Sequence, residues 1–236
     1  MTTMDGVLVR GVSASGAVVL AGALVCACMR ITGGAASLDA DAQPIVLADA
    51  LLEPSRFPPA YRAAVLDPRA TGEAVAAVEG VPVGATVEPT GCAPPRVGPG
   101  PKHAVAAQGV DSDTGAALTV ILTRSDTALS ARRDQIARCA SLTATAGEVV
   151  STVDTVLLAA PPVDADESLA TEATILRSTE PAVRVLTLSA QIDEARLTVA
   201  WLNNDPGVEP DTVEPDTSAL DVLFTDALLT LQRAAR

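Results

Sequence analysis

His103-Ala-Val-Ala-Ala-Gln-Gly-Val-Asp-Ser-Asp-Thr-Gly-Ala-Ala-Leu-Thr-Val-Ile-Leu-Thr-Arg124 is two apolar runs around a turn. Residues 103–110 and 116–123 consist mainly of Ala, Val, Leu, Ile and Thr, and Asp111-Ser-Asp-Thr-Gly115 favours a tight reversal. Strand, turn and strand at these lengths predict a β-hairpin. A second hairpin is expected from residues 182–192 and 195–202 across Asp193-Glu194. Its alternation runs through Val183, Val185 and Thr187, then Leu197, Val199 and Trp201. Between the hairpins, residues 148–160 read as one long β-branched strand, and residues 164–178 as a short helix or irregular crossing. Asp126 offers an N-cap for a helix over residues 127–139, with apolar positions at 128, 129, 136 and 139.

The clearest helix lies at the C-terminal end. Leu220, Leu223, Phe224, Ala227, Leu228 and Leu231 fall at i, i+3, i+4, i+7, i+8 and i+11, a single apolar stripe suited to a core contact. Ser218 with Asp221 resembles a capping box. Toward the other end, residue 47 opens a helical turn that prolines 54, 58 and 59 interrupt. Residues 71–78 predict a second short helix with Glu73 in its first turn. Residues 80–100 are Pro- and Gly-rich loop apart from a strand near 85–88. The elements together predict an α+β domain over residues 47–236, an antiparallel sheet packed against helices.

Composition bounds what such a domain does. Of 236 residues, 48% are hydrophobic, which excludes wholesale disorder. Only Phe57, Tyr61, Trp201 and Phe224 are aromatic, so the core must be built from Ala, Val, Leu and Ile. The net charge is −13, from 29 acids and 16 bases, and Lys102 is the one lysine. So acidic a chain is repelled by phosphate backbones and anionic lipid, which argues against nucleic acid as a partner. Some of the acidity sits in a perfect duplication, Val208-Glu-Pro-Asp-Thr212 followed by Val213-Glu-Pro-Asp-Thr217. It reads as a loop expansion tolerated at small entropic cost.

The first 28 residues read as an export signal. Arg10 and Arg30 bracket an uncharged, small-residue run from 11 to 29. It ends in Val25-Cys-Ala-Cys28, which resembles a bacterial lipobox with Cys28 as the lipidated cysteine; Cys26 fits poorly after Val25. An uncleaved membrane anchor and simple cleavage with secretion are the alternatives. Residues 29–46 have no sustained period and suit a flexible tether. Beyond the signal two cysteines remain, Cys92 and Cys139. In an oxidising compartment an even pair is most simply a disulfide, closing a loop of about 47 residues worth ~4 kcal/mol. A metal site or reactive thiol is the alternative, set against a single histidine and no C-x-x-C pair in the body.

Signals for catalysis are weak. Asp111-x-Asp113 invites a calcium loop, but the twelfth position is Leu122 rather than a bidentate acid. There is no Gly-x-Ser-x-Gly and no Gly-rich phosphate loop, and His103 reads as a solvent-edge residue at a strand start. Acids such as Asp164, Asp166 and Glu167 cluster as so acidic a composition makes them do. No enzyme activity, cofactor or catalytic residue is expected.

The order of features carries a resemblance. After the lipobox and tether come Leu51-Leu-Glu-Pro-Ser-Arg-Phe57-Pro-Pro-Ala-Tyr61, Gly91-Cys-Ala-Pro-Pro95, the strand Leu118-Thr-Val-Ile-Leu-Thr-Arg124 and a helix ending in Arg138-Cys139. This resembles actinobacterial, chiefly mycobacterial, lipoproteins whose domain has no assigned function (DUF5642-like). More distantly it is similar to the extracellular sensor domain of mycobacterial Ser/Thr kinases. The resemblance implies an antiparallel sheet with helices on one face, one disulfide, and a cleft for an unknown ligand. Unlike those kinases, this chain has no kinase domain and one body disulfide where they have two. The function expected is a non-enzymatic, lipid-anchored envelope protein, with a domain that binds a small or lipidic ligand or an envelope protein. The alternative is a structural or interaction module without a pocket. An apolar cavity of ~300 Å³ or more would favour the first.

Overall fold

The computed structural model describes residues 44–178, 180–203 and 214–236. Cys26, Cys28, the signal and most of the tether and acidic duplication lie outside the described residues. Nine strands of the described residues form one antiparallel sheet: β1 (Tyr61–Val65), β2 (Thr86–Glu88), β3 (Ala104–Asp111), β4 (Ala117–Arg124), β5 (Ser141–Ala146), β6 (Val149–Leu158), β7 (Glu167–Arg177), β8 (Glu180–Ile192) and β9 (Ala195–Leu202). Their order across the sheet is β1-β3-β4-β9-β8-β7-β6-β5-β2. The helices are α1 (Leu47–Ala50), α2 (Pro68–Glu79), α3 (Leu129–Arg138) and α4 (Thr217–Ala234).

Both expected hairpins form. β3 pairs with β4, and β8 with β9 across a turn where Asp193 adopts φ 51°. Three strands were not expected. Residues 164–178, expected to be helical or irregular, contain β7, flanked by β6 and β8. β5 precedes the predicted 148–160 strand and pairs with it across Gly147, whose φ of 61° makes the reversal. β1 forms immediately after the prolines and pairs with β3.

The helices also start differently from expectation. α2 begins before residue 71, because the Asp67 carboxylate accepts from the amides of Arg69 and Ala70, and Pro68 is preorganised for a first turn. α3 begins at Leu129 and Asp126 does not cap it; its first turn is capped from β7 by Glu167, which accepts from Ser130 N and Oγ. α4 is capped not by Ser218 but by Asp216, which accepts from Ala219 N at 3.0 Å.

Two cores lie on opposite faces of the sheet. On one, Leu118, Val120 and Leu122 of β4 and Leu197, Val199 and Trp201 of β9 pack with α1 and the predicted stripe of α4. On the other, Ile121, Val153, Ile175, Val185 and Ala200 pack with Val78 of α2. Leu129 and Ile136 of α3 meet Leu169 of β7 alongside. Helices therefore cover both faces, correcting the one-face arrangement that the resemblance implied. The reason is β4 itself: seven successive buried residues leave no face of that strand for water. Among the described residues no helix is long and apolar enough to cross a membrane.

The predicted disulfide is present between Cys92 and Cys139, whose Cα atoms are 5.6 Å apart. It ties the short 3₁₀ turn Thr90–Cys92, which follows edge strand β2, to the C-terminal end of α3.

Candidate functional site

The face bearing α2 and α3 is less apolar than its opposite. Thr123 of β4, Thr198 of β9, Ser189 and Thr187 of β8 and Thr171 of β7 project from it. Ser189 and Thr198 pair hydroxyl to hydroxyl at 3.1 Å. Helices cannot close tightly over a polar row, and a cleft of about 240 Å³ remains between the C-terminal half of α2, the sheet and two loops. Its walls are of two kinds. Val75 and Val78 of α2, Ile121 of β4 and Pro95 and Val97 of the covering loop are apolar. Thr123, Ser125, Thr127, Thr198 and Arg196 are polar. A second hollow of about 60 Å³ under α3 shares Val78, Glu79, Arg196 and Thr198 with it. The cleft is smaller and more polar than the apolar cavity set out as the mark of a ligand site.

Arg196 stands where the two hollows meet. It lies opposite Thr123 on β4 and Gln191 on β8. Its Nη2 donates to the carbonyl of Thr127 and to Gln191 Oε1, while its buried Nε has no partner among the described residues. Burial pushes this guanidinium below its ordinary value; Glu79 opposes that shift, Arg132 reinforces it and Glu167 opposes it. Arginine nevertheless stays cationic. The carboxylate of Glu79, at the end of α2, is ion-paired with Arg132 of α3.

The same side chains connect the cleft to the disulfide. Arg132 also donates to Gln135 Oε1 at 2.6 Å, and Gln135 Nε2 donates to the carbonyls of Gly91 and Ala93 on either side of Cys92. The covering loop is held close: a Cβ on Gly98 would stand 2.8 Å from His103 Cγ, so the backbone there lies directly against that ring. Arg124 at the rim bonds Glu194 and the carbonyl of Ile45.

The residues singled out in the sequence fall as follows. His103 is exposed and lines the cleft, one residue before β3. Asp111 spends its carboxylate within the turn, accepting from Asp113 N and Thr114 Oγ1, bonds that hold its pKa below the ordinary value. Asp166 accepts from Asp193 N at 2.8 Å, and Glu167 caps α3, so two acids read as compositional have structural partners. Among the described residues no three His, Cys, Asp or Glu side chains stand together as a metal site would require. Sequence reasoning missed Arg196, Arg132 and Glu79. One signal was available: in β9 the odd positions are the apolar ones, so Arg196 and Thr198 belong to the other face, which β4 also buries.

No curated protein matches the chain. Among solved structures it is similar to the X-ray structure of an uncharacterised protein of Mycobacterium smegmatis, the Rv0999 ortholog. The identity is 19%, over 82% of this chain and 98% of that one, with a TM-score of 0.43. Residues 52–232, which hold the whole nine-stranded sheet, α2, α3 and nearly all of α4, match the family described as "Domain of unknown function (DUF5642)", and the chain belongs to that family.

Proposed function

We propose that the chain is a non-enzymatic cell-envelope lipoprotein, held on the outer side of the membrane by a lipid on Cys28, whose domain binds a small ligand in the α2–α3 cleft. The observation that carries ligand binding is Arg196, a largely buried cation whose hydrogen bonds go only to neutral acceptors, at the wall of a hollow lined by hydroxyls and by valines. Placing a charge there is costly unless something repays its desolvation. The lining supplies hydrogen bonds, charge and apolar contact, the three means by which a small molecule is held. The anchor reading rests on the lipobox-like Val25-Cys-Ala-Cys28 and on the tether that follows it.

Two experiments test the proposal. Native mass spectrometry of protein purified from its own host should find a small molecule retained at one per chain. Protein that is always empty is the result expected of the alternative, an envelope interaction module without a pocket. Metabolic labelling with a fatty-acid analogue should mark the wild type and not Cys28→Ala; a labelled Cys28→Ala ends the anchor reading.

A further inference from the structure

Building on the proposed cleft, we infer that its ligand is a small organic monoanion: a carboxylate held at Arg196, attached to a short apolar body that lies against Val75, Val78 and Ile121. The inference deepens the ligand-binding reading and rests on it. Three features of the cleft carry it.

The first is charge. The whole chain has 29 acids against 16 bases. The large hollow reverses that balance, with Arg96, Arg124 and Arg196 against Glu79 and Asp126, a surplus of one positive charge. A local reversal within a field of the opposite sign attracts an anion, and a surplus of one matches a single negative charge.

The second is the state of the carboxylates whose charge acts on Arg196. Glu79 is taken by Arg132. Glu167, on β7 two strands away, accepts from Ser130 at the start of α3. The partners Arg196 does have, the Thr127 carbonyl and Gln191 Oε1, are neutral and both use Nη2. A guanidinium presents its donors in a planar fork suited to a carboxylate, and Nη1, which enters no hydrogen bond among the described residues, is the donor of that fork left open. Thr123, directly across the β4–β9 pairing, and Thr198, two residues along β9, bring hydroxyls to the same end of the cleft.

The third is the apolar wall. Val75 and Val78 of α2 and Pro95 and Val97 of the loop, with Ile121 beside Thr198 on the sheet, offer nothing to a second charged or hydroxylated group. A bare inorganic anion would leave that wall wet, whereas an alkyl or aryl body covers it.

The test titrates the full chain with octanoate, octanol and inorganic phosphate, following backbone amide NMR shifts. Octanoate is expected to saturate at one per chain, to shift Thr123, Ser125 and Thr198, and to bind roughly tenfold or more tighter than octanol. That is the fold-change a hydrogen bond to a charged group contributes. Arg196→Gln is expected to erase the preference for octanoate over octanol while leaving octanol binding in place, which also shows that the variant is folded. Equal binding of octanoate and octanol by the wild type overturns the anion assignment and leaves the ligand reading standing. Phosphate competing as well as octanoate overturns the apolar body. If none of the three shifts the cleft residues, the anion inference falls; the ligand reading falls with it only if host-purified protein is also empty.

Discussion

Gly80 shows how much one residue carries. It ends α2 at φ 69°, and a Cβ there would sit 2.7 Å from Val153 Cγ2 and 2.9 Å from Ile175 Cγ1, two core side chains of the sheet. Gly80→Ala adds left-handed strain to overpacking and is expected to cost about 2–4 kcal/mol, read from the urea midpoint. A glycine after a helix is visible in sequence as a stop; its contact with β6 and β7 is not, because those strands are some seventy residues or more further along the chain. Tyr61 makes the second residue-scale prediction. Burial first, then the charges of Asp216 and Asp111, push its phenol from 10.0 up to about 12. The folded state thus holds the proton more tightly than the unfolded one. That contribution to stability is whole below pH about 10 and is lost as the pH rises toward about 12. Tyr61→Phe should flatten this alkaline limb in unfolding curves measured across that range. At neutral pH it should cost only about 1 kcal/mol, for the 3.5 Å bond to Asp216.

Among the elements, α3 depends most on its surroundings. Ala128 gives it no side-chain cap, and Glu167 of β7 supplies the missing acceptor. Glu167→Ala is expected to cost about 1 kcal/mol and to speed hydrogen exchange at the first turn of α3, with α4 unaffected. Asp126 was the reasonable sequence choice, since an N-cap is normally local; here the acceptor comes from a strand paired far along the chain. β7 was hidden for a related reason. Its Glu-Ser-Leu-Ala-Thr-Glu-Ala-Thr-Ile-Leu-Arg sequence has enough Ala, Glu and Leu to suit a helix. Pairing with β6 and β8, and the Glu172–Arg184 ion pair across to β8, override that weak preference. The elements that were legible, β3, β4, β9 and α4, are those with the strongest apolar pattern.

For the molecule as a whole, the Cys92–Cys139 bond is the main covalent constraint. It fastens β2, a three-residue edge strand, to the body of the sheet. Reduction, or the paired change Cys92→Ala with Cys139→Ala, is expected to lower stability by up to about 4 kcal/mol in the loop-entropy picture, read as a lower Tm under reductant. Because Gln135 bonds the carbonyls beside Cys92 and also Arg132, the same change should loosen the polar side of the cleft. The sequence by itself determined the α+β class, both hairpins, the C-terminal helix, the disulfide pair and the net acidic charge. Each depends on local periodicity, parity or composition, which a linear chain displays. Only the tertiary structure decided that helices cover both faces, that three further strands complete the sheet, and that Arg196, Glu79 and Arg132 meet over a row of hydroxyls. Those facts depend on which residues become neighbours across the sheet. That is set by strand register and burial summed over the whole fold rather than by any one segment.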